Sequence, residues 1–282
     1  MTNLLPSLDT PPSGRKRPVW FDSLAYCRQK LLAGRPVPWT APGELAAFYG
    51  KAQDMFGSDA LLVDLGDLFA QRAADDRLRQ AMAARSRPGY ALRTLLGDDE
   101  ARTGAQHAVE ALTAGRSAAP TVLTIPAPGR WLSVAVAQAG QDTPSPETGP
   151  PDADRTEAAA VYVADLLRIF ANGGVTGLLL DEGPTAAADL APPAAYQPVL
   201  NLAAHYGWPV FVRTDAAPAW PHGPVAGLAG WVGSAPPRLP EGRWGLVASP
   251  DRWADAQGDL VLAIVPVDAD PETIMQRVRA LS

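Results

Sequence analysis

Eight short apolar runs, each closed by Pro, Gly or charge, constrain this chain more than any other feature. They are PVWF (18–21), ALLVDL (60–65), PTVLTIP (120–126), TGLLLDE (176–182), PVFVRTD (209–215), VAGLAGWVG (225–233), WGLVAS (244–249) and DLVLAIVP (259–266). Most are apolar throughout instead of alternating, as parallel strands must be when both faces of their sheet are covered. Helical stretches separate the early runs: ELAAFYGKAQDMF, then DRLRQAMAARS with EARTGAQHAVEALTAG, then ADRTEAAAVYVADLLRIFANGG. The last puts Ala159, Val163, Leu166, Leu167 and Phe170 on one stripe and stops at Asn172-Gly173-Gly174, a good C-terminal signal.

Strands alternating with helices eight times over predict an α/β chain, a (β/α)8 TIM barrel, in preference to two smaller domains. The expected organisation is a flexible N-terminal arm over 1–17 and one barrel over 18–282, with a disordered or lid-like loop at 140–155, GQDTPSPETGPPDADR. The crossover connections are shortened in the second half: APAWPHGP, APPRLPEGR and PDRWADAQG are each too short for a full helix. That wall of the barrel is expected to be thin and covered by a homo- or hetero-oligomeric partner.

Composition narrows the function classes. The chain has 282 residues, 47% of them apolar, and a net charge of −6. Its 21 Arg and three Lys are dispersed except at GRKR (14–17), so no nucleic-acid partner is expected. No apolar window of about 18 residues suggests a membrane span, and MTNLLPSLDTPPSGRKR places its charges after a broken apolar stretch, the reverse of a secretory signal, so a cytoplasmic protein is expected. One cysteine, Cys27, excludes an internal disulfide and a thiolate-rich metal centre. His107, His205 and His222 show no metal-ligand spacing, and no glycine-rich nucleotide loop follows a strand, so neither metal nor cofactor is expected.

Chemistry-bearing residues collect at the C-terminal ends of the runs, where a barrel builds its site. VTGLLLDEG delivers Asp181 and Glu182, ALLVDLGDLF delivers Asp64 and Asp67, TIPAPGRW delivers Arg130 and Trp131, and PVFVRTD delivers Arg213 and Asp215. The four carboxylates Asp181, Asp64, Asp67 and Glu182 are the catalytic candidates, since neighbouring acids in a dry mouth can split their pKa values into an acid and a base. Arg130 and Arg213 are candidate clamps for an anionic group, with Asp215, Trp131 and His222 as further substrate contacts. The competing reading is that these Asp and Arg side chains pair with one another and close the barrel top.

Several of these segments, in the same order, resemble the superfamily containing uroporphyrinogen decarboxylase and cobalamin-independent methionine synthase. RPVWF looks like the decarboxylases' opening motif, PGELAAFYGKAQDMFGSDALLVDLGDLF like their helix and second strand ending in a catalytic aspartate, and TIPAPGRWL like the third-strand segment. VYVADLLRIFANGGVTGLLLDEGP is similar to a synthase-like helix, Gly-Gly turn and strand ending in Asp-Glu-Pro, and VLAIVPVDADPETIMQRVRAL looks like the decarboxylases' last strand and closing helix. The resemblance implies the same barrel, a catalytic aspartate at Asp64 or Asp67, and an amine contact at Asp181. It also shows departures: WF runs into DSLAYCRQK with no arginine motif, the zinc ligand set is missing, and Gly183 replaces the Pro.

These readings lead to the expectation of a metal-free, cofactor-independent, lyase-like enzyme of a specialised biosynthetic pathway. Its substrate would be an amino-acid-like or polyanionic metabolite undergoing decarboxylation, elimination or ring closure with loss of an anionic leaving group. Two alternatives stay open: a catalytically degenerate barrel that binds or stabilises a hetero-complex, and a methyltransferase of the methionine synthase-like or corrinoid-linked type.

Overall fold

The computed structural model describes residues 4–87, 89–114, 119–140, 152–183, 190–215, 225–234 and 243–281. Its strands are β1 (Val19–Asp22), β2 (Leu61–Asp64), β3 (Thr121–Pro126), β4 (Val175–Asp181), β5 (Val210–Thr214), β6 (Leu228–Gly233), β7 (Arg243–Ala248) and β8 (Leu260–Ile264). Its helices are α1 (Leu4–Asp9), α2 (Leu24–Leu32), α3 (Pro42–Phe56), α4 (Leu65–Ala73), α5 (Asp76–Ala83), α6 (Tyr90–Leu96), α7 (Asp99–Ala114), α8 (Pro128–Gln138), α9 (Ala153–Leu167), α10 (Gln197–Tyr206) and α11 (Pro271–Arg279). All eight apolar runs are strands, every pair is parallel, and the sheet order β1-β8-β7-β6-β5-β4-β3-β2 curls into a nearly closed (β/α)8 barrel.

The closure is incomplete at β1 and β2, which share no ladder. The chain just before β2 stitches the seam instead. Asp59 N–H donates to Val19 O (2.9 Å), its carboxylate accepts from Val19 N–H (2.9 Å), and Ser58 Oγ accepts from Phe21 N–H (3.1 Å). The Asp59 carboxylate, fully buried, also faces Arg15 at 3.5 Å.

Inside the barrel Trp20, Val122, Leu179, Phe211, Val232 and Leu262 form the packed centre, with Trp20 edge-on to Phe211 at 5.4 Å. Leu4 and Leu8 belong to the same cluster, so α1 plugs the barrel bottom. Gly177 is required by that plug: a Cβ there would stand 2.3 Å from Leu4 Cδ2. The 1–17 segment, expected to be a flexible arm, is therefore packed over its described part, with Leu4 fully buried and Ser13 N–H donating to Asp59 at 2.8 Å.

The thin wall is also closed differently from expectation. Outward side chains of β6–β8 are covered within the chain: Trp231 is 4% exposed, Leu246 5% and Val261 2%. Trp253, in the helix-free connection after β7, is buried, its Nε1–H donating to Ala248 O at 2.9 Å and its ring edge-on to Phe21. Residues 141–151 of the lid-like loop lie outside the described residues.

Candidate functional site

At the C-terminal ends of the strands four charged side chains form one row. Asp181 ends β4 and is level with Pro126 of β3 and Arg213 of β5, so the Asp181 and Arg213 side chains leave the sheet on the same face. Arg213 reaches across the mouth to Asp22, at the end of β1, with Nη1 to Oδ2 at 2.9 Å, while its Nε lies 3.8 Å from Asp181. Arg130, in the first turn of α8, donates to the other Asp181 oxygen at 2.5 Å. The row reads Asp22, Arg213, Asp181, Arg130.

Gly183 completes the arrangement. Its N–H donates to Asp181 Oδ1 at 2.9 Å, its φ is +63°, and a Cβ there would sit 2.8 Å from the Arg130 guanidinium carbon. Proline, locked near φ −65°, cannot take that conformation. The departure from Asp-Glu-Pro thus makes room for the arginine that holds Asp181.

Asp64 is a different kind of carboxylate. It ends β2, caps α4 by accepting from Asp67 N–H at 3.2 Å, and has no ion pair among the described residues. Burial is the main cause that pushes its pKa up to about 7; the Asp67 N–H opposes this, and the charges of Asp22, Asp67 and Asp181 add to it. Asp22, Asp64, Asp181 and Arg213 line one cavity of about 130 Å³, together with Thr124 and Tyr49. The polar end of the lining carries three carboxylates and one arginine, and Arg130, outside the lining, holds the second Asp181 oxygen.

The other sequence candidates stand apart. Glu182 follows Asp181 in the strand, so it points to the opposite face, where it is buried and accepts from the Tyr196 hydroxyl. Burial, opposed by that hydrogen bond, raises its pKa, but it lies behind the barrel wall and does not pair with Asp181 at the mouth. Asp67 accepts from Trp39 Nε1 and Gln71 Nε2, both at 2.8 Å, and approaches Arg28 at 3.7 Å, outside the cavity lining. Trp131 is 1% exposed and packs edge-on to Phe69 at 5.5 Å, which makes it core and not a ligand wall. Asp215 is exposed beyond β5 and outside the lining, and His222 lies outside the described residues. Arg130 and Arg213 do meet at the mouth, but both are engaged by carboxylates, so the expected free anion clamp is not formed.

Asp22 was the member of the row that sequence reasoning missed, although PVWFD obeys the same rule as the other runs, apolar residues ended by an acid. Among the described residues no group of three His, Cys, Asp or Glu is arranged to hold a metal ion, and no helix is long and apolar enough to cross a membrane.

No family model and no curated protein sequence matches the chain. Among solved structures it is similar to a methyltransferase from Methanosarcina mazei, at 12% identity and a TM-score of 0.52, over 94% of this chain and 93% of that chain. At that identity the likeness is one of fold.

Proposed function

We propose that the barrel mouth is the site of a small-molecule enzyme that performs acid–base chemistry on an amine-bearing metabolite, with Asp64 as the proton-transferring group. The observation that carries this reading is a part-buried carboxyl without an ion pair among the described residues, its pKa pushed up to about 7, at the acidic end of a cavity. A general acid or base works best when its pKa is near the working pH. The charges of Asp22 and Asp181 cancel those of Arg213 and Arg130, so no free anion clamp remains, and the excess charge that favours a cation over the polyanionic substrate considered from sequence is that of Asp64 once ionised. Asp181 and Asp22 then hold the ammonium group, and the row of ion pairs keeps their oxygens in place. Ionised Asp64 removing a proton from the carbon beside a leaving group serves elimination, the leaving group departing with its electron pair, and protonated Asp64 delivering a proton to the carbon that loses CO2 serves decarboxylation.

A second reading, transfer of a methyl group to that amine, is supported by the fold likeness to a methyltransferase over nearly the full chain. It uses the same base, which would strip the acceptor of its proton, and requires an electrophilic methyl donor as a second substrate, which leaves with the electrons of its bond to the methyl group.

Ethylamine and propionate, as minimal cation and anion, distinguish the charge preference by protein-observed NMR. Ethylamine is expected to bind, more tightly above about pH 7 where Asp64 is ionised, and Asp64→Asn or Asp181→Asn is expected to weaken it about ten-fold, since each removes one desolvated charge partner. Preference for propionate would overturn the reading.

A further inference from the structure

The cavity has an arm that a fully closed barrel would not allow. β1 and β2 lie side by side without a ladder, and the hydrogen bonds across the seam run from Ser58 and Asp59, ahead of β2, to Val19 and Phe21. Through that gap the cavity passes from the barrel interior, where Leu179 and Leu262 line it, to the layer beneath α2 and α3, where Leu24, Phe48, Ala52 and Phe56 do. The first two belong to the interior cluster, and Phe48 and Phe56 to the cluster outside the strands. One end of the cavity is therefore acidic and the other apolar, with the parted strands between.

One hydroxyl on its lining, Thr124 Oγ1, is buried with no hydrogen-bond partner. Buried hydroxyls are nearly always bonded, so it marks a place where the fold alone does not supply the partner. With about 130 Å³ of space, the cavity is small beside the roughly 300–1,000 Å³ of drug-sized sites.

We infer that the substrate is a compact amine with a short aliphatic tail, its ammonium among Asp22, Asp64 and Asp181 and its tail passing through the β1–β2 seam against Phe48 and Ala52. This rests on the amine reading above and adds the identity of the tail. A tail reaching the apolar arm gains affinity with each buried methylene, whereas a tail confined to the mouth does not.

Isoamylamine, ethylamine and isoamyl alcohol are the probes, titrated into the full chain at about pH 8 and followed by protein-observed NMR. Isoamylamine is expected to bind at least about ten-fold more tightly than ethylamine, from three added carbons. Ala52→Phe and, separately, Leu24→Phe fill the arm and bring the two amines to parity. The wild-type series decides the matter even if either variant fails to fold. Equal binding of both amines overturns the seam and leaves the amine reading standing. Binding of isoamyl alcohol as tightly as isoamylamine, with ethylamine not bound, keeps the seam and removes the amine reading. Binding of none of the three overturns both.

Discussion

Asp64→Asn is expected to stabilise the protein by about 2–4 kcal/mol at pH 8 and to change its stability little at pH 4. The Asp64 carboxyl is neutral in the fold up to about pH 7, whereas in the unfolded chain it ionises near its ordinary value of 3.8. Unfolding therefore releases a proton throughout that window, and stability falls as pH rises from about 4 to about 7, then levels off. Three units at about 1.4 kcal/mol each set the upper limit of the cost above pH 7. Asparagine removes the buried charge yet keeps an oxygen for Asp67 N–H, so the N-cap of α4 survives. Urea denaturation at the two pH values measures the difference. A carboxyl kept at such a cost is the usual trade of stability against function, and the variant is expected to be more stable and inactive together.

Gly230→Ala carries the largest expected effect in the opposite direction. A Cβ at Gly230 would lie 2.2 Å from the Arg243 carbonyl oxygen and 2.9 Å from Phe211 Cε1. Both neighbours are strand partners, Arg243 on β7 and Phe211 on β5. The oxygen is main chain and cannot rotate away, so β6 and β7 must part or the ladder must break. A loss of more than about 3 kcal/mol is expected, at the upper end of what overpacking costs. A urea midpoint close to wild type would show that the sheet yields there, and with it that the register of β6 is looser than described.

The strands were legible because burial on both faces demands unbroken apolarity, and few other segments in the chain satisfy it. The plug helix α1 was not, because LLPSLD is six residues with an internal Pro and has no helical signal of its own; it is helical where Leu4 and Leu8 fill the barrel bottom. Of the two acids in LLLDEG only one can face the mouth, since successive strand residues alternate, so period alone separates Asp181 from Glu182 once the strand is placed. In VDLGD the cap relation between Asp64 and Asp67 is likewise readable, an Asp three residues ahead of a helical N–H. What spacing does not carry is partnership. Whether Arg213 is free to hold a substrate or tied to Asp22, 191 residues away in sequence, depends on which strand ends meet across the mouth. The missing ladder between β1 and β2 belongs to the same class, because PVWF and ALLVDL each read as ordinary strands and the gap exists only in their relation.

Asp64 is proposed as a neutral-range proton carrier held beside an ammonium site. Carboxyl-carbon NMR, with the resonance assigned by Asp64→Asn, tests it directly. The titration midpoint of Asp64 is expected near pH 7, moving downward when ethylamine is bound, because a cation favours the ionised form. A midpoint near 4 that ethylamine leaves unmoved would contradict it.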